Sequence, residues 1–272
     1  MRGCFISMNS EIVTQLDLKA YGRRIGYTGG VGPTYECFRA LHLAHASSVP
    51  FENLDVLLGR GVRIDLPRLQ EKIVGEHRGG YCFEQNGFFS TVLEQIGFSV
   101  TRLSGRVRFG KKEVRPRTHM VMKVDIEGRS YLADVGFGGL GILEPIPLIS
   151  NEEFRQGIWK FKLIREGEWW VLQSYFANEW GDQYCFNLEP HLPVDYEPGN
   201  FFCSSHPDSI FRQTLISQKS ELNRRLILKN RELITLNAQG EQKRVITSDD
   251  ELLRVLDVEF GLRLPSGTRF KV

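Results

Sequence analysis

The chain reads as an α+β protein in which helices come first, strands fill the middle and the last part mixes the two. Three observations predict this. Residues 12–96 carry apolar side chains at three- and four-residue steps, the pattern turns to short β-runs from Phe98 onward, and three more such runs lead into a capped helix near the end. No repeat and no low-complexity linker separates these parts, so they are expected to pack on one another.

In the first part, residues 34–47 place Cys37, Leu41 and Ala44 on one helical face, and 66–76 form a second candidate helix. A third begins at Cys82, with Phe83, Phe89, Val92, Leu93 and Ile96 as one stripe behind it, read as core rather than as a cofactor surface. The β-runs follow at 100–107, 118–126, 131–135, 158–165 and 169–176. Glu127-Gly128 and Glu166-Gly167-Glu168 read as tight hairpin turns between neighbouring runs. A small barrel or a rolled antiparallel sheet is expected from them. In the last part, 225–228, 233–237 and 243–246 read as strands, and Thr247-Ser248-Asp249-Asp250 caps a helix from Glu251 to near Phe260. The expected divisions are 1–96, 97–205 and 206–272.

Composition narrows the partners. The 272 residues suffice for about two domains at roughly 150 residues each. Lys plus Arg number 35 against 33 for Asp plus Glu, a difference of +2, so no global field argues for nucleic acid or a membrane surface. The cysteines, Cys4, Cys37, Cys82, Cys185 and Cys203, are odd in number and scattered, without C-x-x-C or zinc-type spacing. A reduced, cytoplasmic setting and no metal are expected. The first eight residues are too poor in apolar side chains for a signal peptide, and no stretch approaches the roughly 20 apolar residues of a membrane span. Met8 offers an alternative start.

The chemistry concentrates in Arg78-Gly79-Gly80-Tyr81-Cys82-Phe83-Glu84-Gln85-Asn86. A glycine pair lets the backbone turn sharply, and the helix it feeds aims unpaired N–H groups and a partial positive charge at its first residues, which favours thiolate over thiol. Downstream stand Thr118-His119 and, across the Glu127-Gly128 turn, Asp134. A nucleophilic cysteine needs a base for its proton and a third group to orient that base, and Cys82, His119 and Asp134 supply all three types. Type and spacing alone leave open a buried cysteine, a core histidine and a turn carboxylate. Arg106, Arg108, Lys111, Lys112, Arg115 and Arg117 form a basic run opposed locally only by Glu113; it reads as a solvated hairpin, or as a surface steering phosphates toward the thiol.

Five ordered blocks resemble the prokaryotic form of the arylamine N-acetyltransferase family: Tyr21-Gly22-Arg23-Arg24-Ile25-Gly26-Tyr27; His45 to Ser48 running into Val49-Pro50-Phe51-Glu52-Asn53-Leu54-Asp55; the Arg78 to Asn86 segment; Thr118-His119; and Asp134-Val135-Gly136-Phe137-Gly138-Gly139. A further block, N-x-x-x-S-x-x-P-x-S-x-F over 200–211, extends the likeness. The resemblance implies a helical bundle, a β-barrel and an α/β lid, with a Cys82-His119-Asp134 triad where bundle and barrel meet. It implies acetyl-CoA as co-substrate, no metal, and an arylamine or hydrazine as acceptor. It also implies Val107, Thr118, Phe137 and Phe202 as substrate-lining residues, Gly136, Gly138 and Gly139 as a backbone that approaches the coenzyme, and Glu52, Arg78 and Asn86 as polar support, with Glu52 and Arg78 a buried pair. A homodimer is a further expectation. Tyr81 stands where some relatives have tryptophan and is expected to alter pocket shape. Two alternatives stay open: an amide synthase of polyketide assembly, which resembles the family through the same triad, and a catalytically silent protein that keeps the fold.

Overall fold

The computed structural model describes residues 16–109 and 113–270; Cys4, Met8, the start of the expected helical part, Lys111 and Lys112 lie outside the described residues. Helices Leu18–Ile25, Tyr35–Ser48, Leu54–Leu57 and Leu66–Gln70 precede the long helix Cys82–Ile96. Their ends follow local chemistry: Asp17 accepts the Ala20 N–H at 2.8 Å, Thr34 accepts that of Cys37 at 3.3 Å, and Gly97 closes the long helix in the left-handed conformation at φ +105. The expected helix at 66–76 is helical only to Gln70 and then widens into a π-turn over Glu71–Gly75.

The middle of the chain forms an eight-stranded antiparallel sheet. Its order is Ile146–Pro147, Arg129–Ala133, His119–Ile126, Ser99–Val107, Glu179–Phe186, Trp169–Phe176, Trp159–Glu166 and Glu153–Gln156. The sheet rolls into a nearly closed barrel, and the segment joining its two edges bonds back to the Trp159–Glu166 strand through the Asn151 N–H and the Leu163 carbonyl at 2.7 Å. The Glu127-Gly128 turn is a two-residue hairpin with φ +51 and +77 between Ile126 and Arg129, which are paired. Sequence reading missed Glu179–Phe186, which pairs on both sides, with Ser99–Val107 and with Trp169–Phe176; Gly181 and Asp182 interrupt its β pattern. It also missed the helix Glu197–Ser205.

The strand His119–Ile126 is buried on both faces, which explains its nearly continuous apolar run. Val121 faces a barrel core with Leu103, Leu132, Phe161, Leu163, Leu172 and Phe186. Met122 and Val124 face Phe38, Phe88, Phe89, Val92 and Leu93 of the helices. That layered packing fixes the end of the strand, at His119, over the start of the long helix.

A second antiparallel sheet runs Phe51–Glu52, Ile216–Ser220, Arg224–Lys229, Glu232–Asn237 and Gly240–Val245. Its first strand comes from the helical part, so that part and the last part of the chain share one sheet, with Phe51 paired to Gln218 and Glu52 to Ser217. Helix Asp249–Phe260 covers it, and Ser248 Oγ accepts the Glu251 N–H at 3.1 Å, the cap expected from the sequence. Leu226, Leu228, Leu252, Val255, Leu256 and Phe260 form the core beneath.

Candidate active site

Cys82 is the first residue of the long helix and is only 4% exposed. The turn before it requires glycine: a Cβ on Gly79 would lie 1.8 Å from the Pro50 carbonyl oxygen, because the Glu52 N–H donates to the Gly80 carbonyl at 3.1 Å and draws the turn against that strand. The helix start is held by Glu84, whose carboxylate accepts the Tyr81 N–H at 3.0 Å.

Beneath this turn lies a buried cluster of five charges. Arg78 Nε donates to Glu52 at 2.9 Å and its Nη2 reaches Asp55 at 3.2 Å, while Lys72 Nζ reaches Glu84 at 2.6 Å and Asp55 at 2.8 Å. The expected Glu52–Arg78 pair is thus part of a larger network of three carboxylates and two buried cations, with the half-exposed Arg60 reaching Asp55 at 3.5 Å as well. Burial pushes Glu84 up, to about 7, with the Glu52 charge adding to it, although Lys72 beside it pulls the other way.

His119 and Asp134 meet at the end of the barrel. His119 Nε2 lies 2.7 Å from Asp134 Oδ2. Asn86 Nδ2 donates to Asp134 Oδ1 at 2.8 Å and to the Met120 carbonyl at 2.7 Å, and Asn86 Oδ1 accepts the Val135 N–H at 2.9 Å. The Gly136 N–H adds a third bond to Asp134, at 3.0 Å. Burial raises Asp134, but the charge and hydrogen bond of His119 outweigh it and hold the carboxyl below its ordinary value. Burial lowers His119, and the Asp134 charge and hydrogen bond overcome this to lift it to about 10. The Tyr184 ring packs on the imidazole at 4.6 Å, with its buried hydroxyl turned to Asp134 but lacking a completed hydrogen bond among the described residues.

The Cys82 thiol donates to the Thr118 carbonyl oxygen at 3.5 Å, with the His119 imidazole as its titratable neighbour. Burial pushes this thiol up, and the neighbouring His119 pulls it back without reversing the direction. The expectation of a thiol lowered by its helix end is therefore corrected: desolvation opposes the thiolate at this depth, and His119 supplies the opposing pull.

Cys82 and His119 open on a cavity of about 370 Å³. Val107, Thr118, Phe137, Phe202, Gly136 and Gly138 line it, all singled out in the sequence. Phe51, Phe109, Cys203 and Phe211 also line it, and no pattern in the sequence marked them for that role. Tyr81 does not line it; the ring packs on Phe83 and Phe211, and its hydroxyl donates to Asn200 Oδ1.

The glycines after Asp134 have structural reasons of their own. A Cβ on Gly136 would come 2.9 Å from Cys82 Cα, so this glycine lets the strand end approach the start of the long helix. The Gly136 and Gly139 N–H groups are engaged by Asp134 Oδ1 and Gln218 Oε1, so two of the three donors expected to face a phosphate already have partners. From the second sheet, Arg225 grips the same loop, donating to the Gly139 and Gly141 carbonyls at 2.6 Å each while stacked 4.7 Å from the Trp159 ring centroid.

The basic run is less exposed to solvent electrostatics than its local sequence suggests. Arg108 pairs with Glu166 at 2.7 Å and Asp182 at 3.0 Å, and Arg117 with Glu189 at 2.7 Å, carboxylates brought from elsewhere in the chain. Arg115 lines the cavity. Among the described residues no group of three or more His, Cys, Asp or Glu side chains is arranged to hold a metal ion.

The same order of residues and the same architecture recur in known proteins. A family model described as N-acetyltransferase matches residues 34–269. The arylamine N-acetyltransferase of Escherichia coli (strain K12) is 42% identical over 200 residues, 73% of this chain and 71% of that relative. The solved structure of Nocardia farcinica arylamine N-acetyltransferase aligns with a TM-score of 0.87 at 40% identity, covering 92% of this chain and 91% of that one. That of Mycobacterium marinum arylamine N-acetyltransferase in complex with CoA aligns with a TM-score of 0.87 at 33% identity, covering 90% and 93%. With a matching family model over most of its length and close likeness in both sequence and fold, the chain belongs to the arylamine N-acetyltransferase family.

Proposed function

We propose that this chain transfers the acetyl group of acetyl-CoA to arylamines and arylhydrazines by a ping-pong route through an acetyl-Cys82 intermediate. The observation that carries the reading is that Cys82 and the hydrogen-bonded His119–Asp134 pair come together at one apolar, aromatic-lined cavity. His119 takes the Cys82 thiol proton, which leaves a thiolate beside an imidazolium that Asp134 sustains. The thiolate attacks the acetyl carbonyl, the new Cys82–carbon bond forms as the bond to the coenzyme sulfur breaks, and the departing sulfur takes up the His119 proton. The first N–H groups of the helix, which lack intrahelical acceptors, are suited to the transient oxyanion. Coenzyme A leaves and the amine enters the same cavity. His119, now neutral, takes the amine's proton as the amide bond forms and the Cys82–carbon bond breaks. Weakly basic aromatic amines suit this step because they arrive unprotonated near neutral pH.

Under this reading Val107, Thr118, Phe137 and Phe202 contact the acceptor, Gly136, Gly138 and Gly139 lie along the coenzyme's path, and Glu52, Arg78 and Asn86 hold the reacting groups in place. The divisions 1–96, 97–205 and 206–272 are kept as the bundle, barrel and lid, joined through the strand Phe51–Glu52. Among the described residues four cysteines are free, which supports a reducing, cytoplasmic setting, and no helix there is long and apolar enough to cross a membrane. A homodimer remains an expectation for light scattering to decide.

Intact-mass measurement after mixing with acetyl-CoA alone tests the proposal. A single acetyl adduct, mapped to Cys82 and discharged by an arylamine, is expected. No adduct from acetyl-CoA, with acylation by a long polyketide thioester, would replace it with the amide-synthase alternative.

A further inference from the structure

We propose that Phe109 is a specificity-determining residue, which with Phe137 grips the outer ring of an aromatic acceptor while the amine is presented to acetyl-Cys82. This rests on the acetyl-transfer reading above. Phe109 follows the strand Ser99–Val107 with φ +44, a left-handed conformation that is costly for a bulky side chain and that a surface turn ordinarily gives to glycine or asparagine. It is also 53% exposed. Neither its backbone conformation nor its exposure serves folding, yet the surroundings hold it there: the N–H groups of Arg108 and Phe109 both donate to the Gln183 carbonyl, at 2.8 and 3.3 Å, and Arg108 is anchored on Glu166 and Asp182. Residues kept in such conformations concentrate where a ligand is clamped.

What the strain achieves is the placement of one ring. Phe109 lies 5.3 Å from Phe137 at an interplanar angle of 31°. Gly139 leaves the room for it, since a Cβ there would come 3.2 Å from Phe109 Cε1. Phe137 in turn meets His119 edge-on at 5.0 Å. An aromatic series therefore runs from the solvent to the base along one wall of the cavity, with Phe51, Phe202 and Phe211 also lining that cavity. Its volume of about 370 Å³ lies within the usual range for small-molecule sites. An acceptor no larger than a hydrazide is met by Phe137 alone; only a second ring extends to Phe109.

Two variants test this: Phe109→Ala, which removes the ring, and Phe109→Asn, which removes it while suiting the left-handed backbone. Each is loaded at Cys82 with acetyl-CoA, and discharge by a two-ring arylamine and by a small hydrazide is timed. The ratio of kcat/KM for the two-ring amine over the hydrazide is expected to fall roughly three- to tenfold, the span of one aromatic contact, with the Tm of the Asn variant undiminished. Equal losses with both acceptors, an unchanged ratio, or a rise in the KM for acetyl-CoA matching the loss would each overturn the assignment, the last by moving Phe109 to the coenzyme. Failure of the unsubstituted chain to accumulate acetyl-Cys82 is a separate result that overturns acetyl transfer itself and this proposal with it.

Discussion

The backbone N–H of Asp134 donates to Nε2 of His42 at 3.0 Å, and Nδ1 of the same ring is bonded to the Leu143 carbonyl at 2.8 Å. His42 must therefore be neutral with its proton on Nδ1. Burial agrees, pulling its pKa down to about 4. A residue of the helix Tyr35–Ser48, flanked edge-on by Phe38 and Phe89, thus fixes the main chain at the carboxylate that orients His119. His42→Leu leaves a buried N–H without an acceptor, which costs about 1–3 kcal/mol. Urea unfolding is expected to register that loss, and kcat/KM to fall further than stability alone explains. A variant as unstable as expected but with full activity at low temperature would separate His42 from the site.

Cys82→Ser is expected to abolish acetyl transfer, by on the order of 10⁴-fold or more, with an unchanged far-UV circular dichroism spectrum. The hydroxyl keeps the Thr118 carbonyl as its acceptor but does not ionise beside His119. Cys37, Cys185 and Cys203 are expected to be dispensable for chemistry, although Cys203 also lines the cavity. Substantial turnover in the folded serine variant would require another nucleophile.

Much of this was legible in sequence because it is local. Ser248 is a cap read within one turn, and the Glu127-Gly128 hairpin places the His119 and Asp134 segments side by side without knowledge of the rest. The strand Phe51–Glu52 is only two residues long and gains its partner from residue 216 onward, so nothing near it announces a sheet. His42 reads as one more residue of a helix; its role exists only through Asp134, 92 positions away. Arg225 and the carboxylates that neutralise Arg108 and Arg117 are equally long-range, and Phe109 is conspicuous only once its φ is known. The depth of Cys82 was also beyond reach, since desolvation depends on what the other two parts of the chain stack above it.

The charge cluster beneath the glycine turn yields an asymmetric prediction. Arg78→Met leaves Glu52 buried with one cation fewer and is expected to cost about 3–5 kcal/mol, the range for breaking a buried pair from one side. Glu84→Gln removes the carboxylate that burial already holds at about 7 and keeps an acceptor for the Tyr81 N–H, so a much smaller loss is expected at pH 8. Urea titrations of the two variants compare them directly, and equal destabilisation would mean that all three carboxylates are needed as charges.

Stability should peak near pH 6.5. Burial holds His42 near 4 and His45 near 3, so as pH falls from about 6.5 the unfolded chain gains protons that the folded chain refuses, and stability is lost. Glu84, raised to about 7, takes up a proton in the folded state and offsets one of the two. On the other side, His119 is raised from 6.5 to about 10, so its contribution is fully present below about 6.5 and is lost as pH rises through 10. His119→Gln is expected to flatten the alkaline limb of a urea-midpoint profile and leave the acid limb. An alkaline limb that survives the substitution would assign that pH dependence to another group.

Asp134→Asn separates orientation from nucleophilicity. The carboxylate accepts from His119, Asn86 and the Gly136 N–H, and asparagine keeps the shape while presenting an amide where one of those donors points. His119 then loses the negative charge that lifts it, so the imidazole is neutral near pH 7 and the Cys82 thiolate loses its cationic neighbour. The rate of Cys82 alkylation plotted against pH should shift to higher pH, and kcat/KM should fall on the order of 10³–10⁴-fold. Part of any effect could come from the Val135-Gly136 turn, because a buried charged acceptor is lost with it, so the comparison is made on a variant with an unaltered near-UV spectrum. In such a variant, an alkylation curve that stays where it was would mean that the Asp134 charge does not sustain the imidazolium, and that Asn86, Gly136 and His42 are fastened to it only to hold the strand end against the helix.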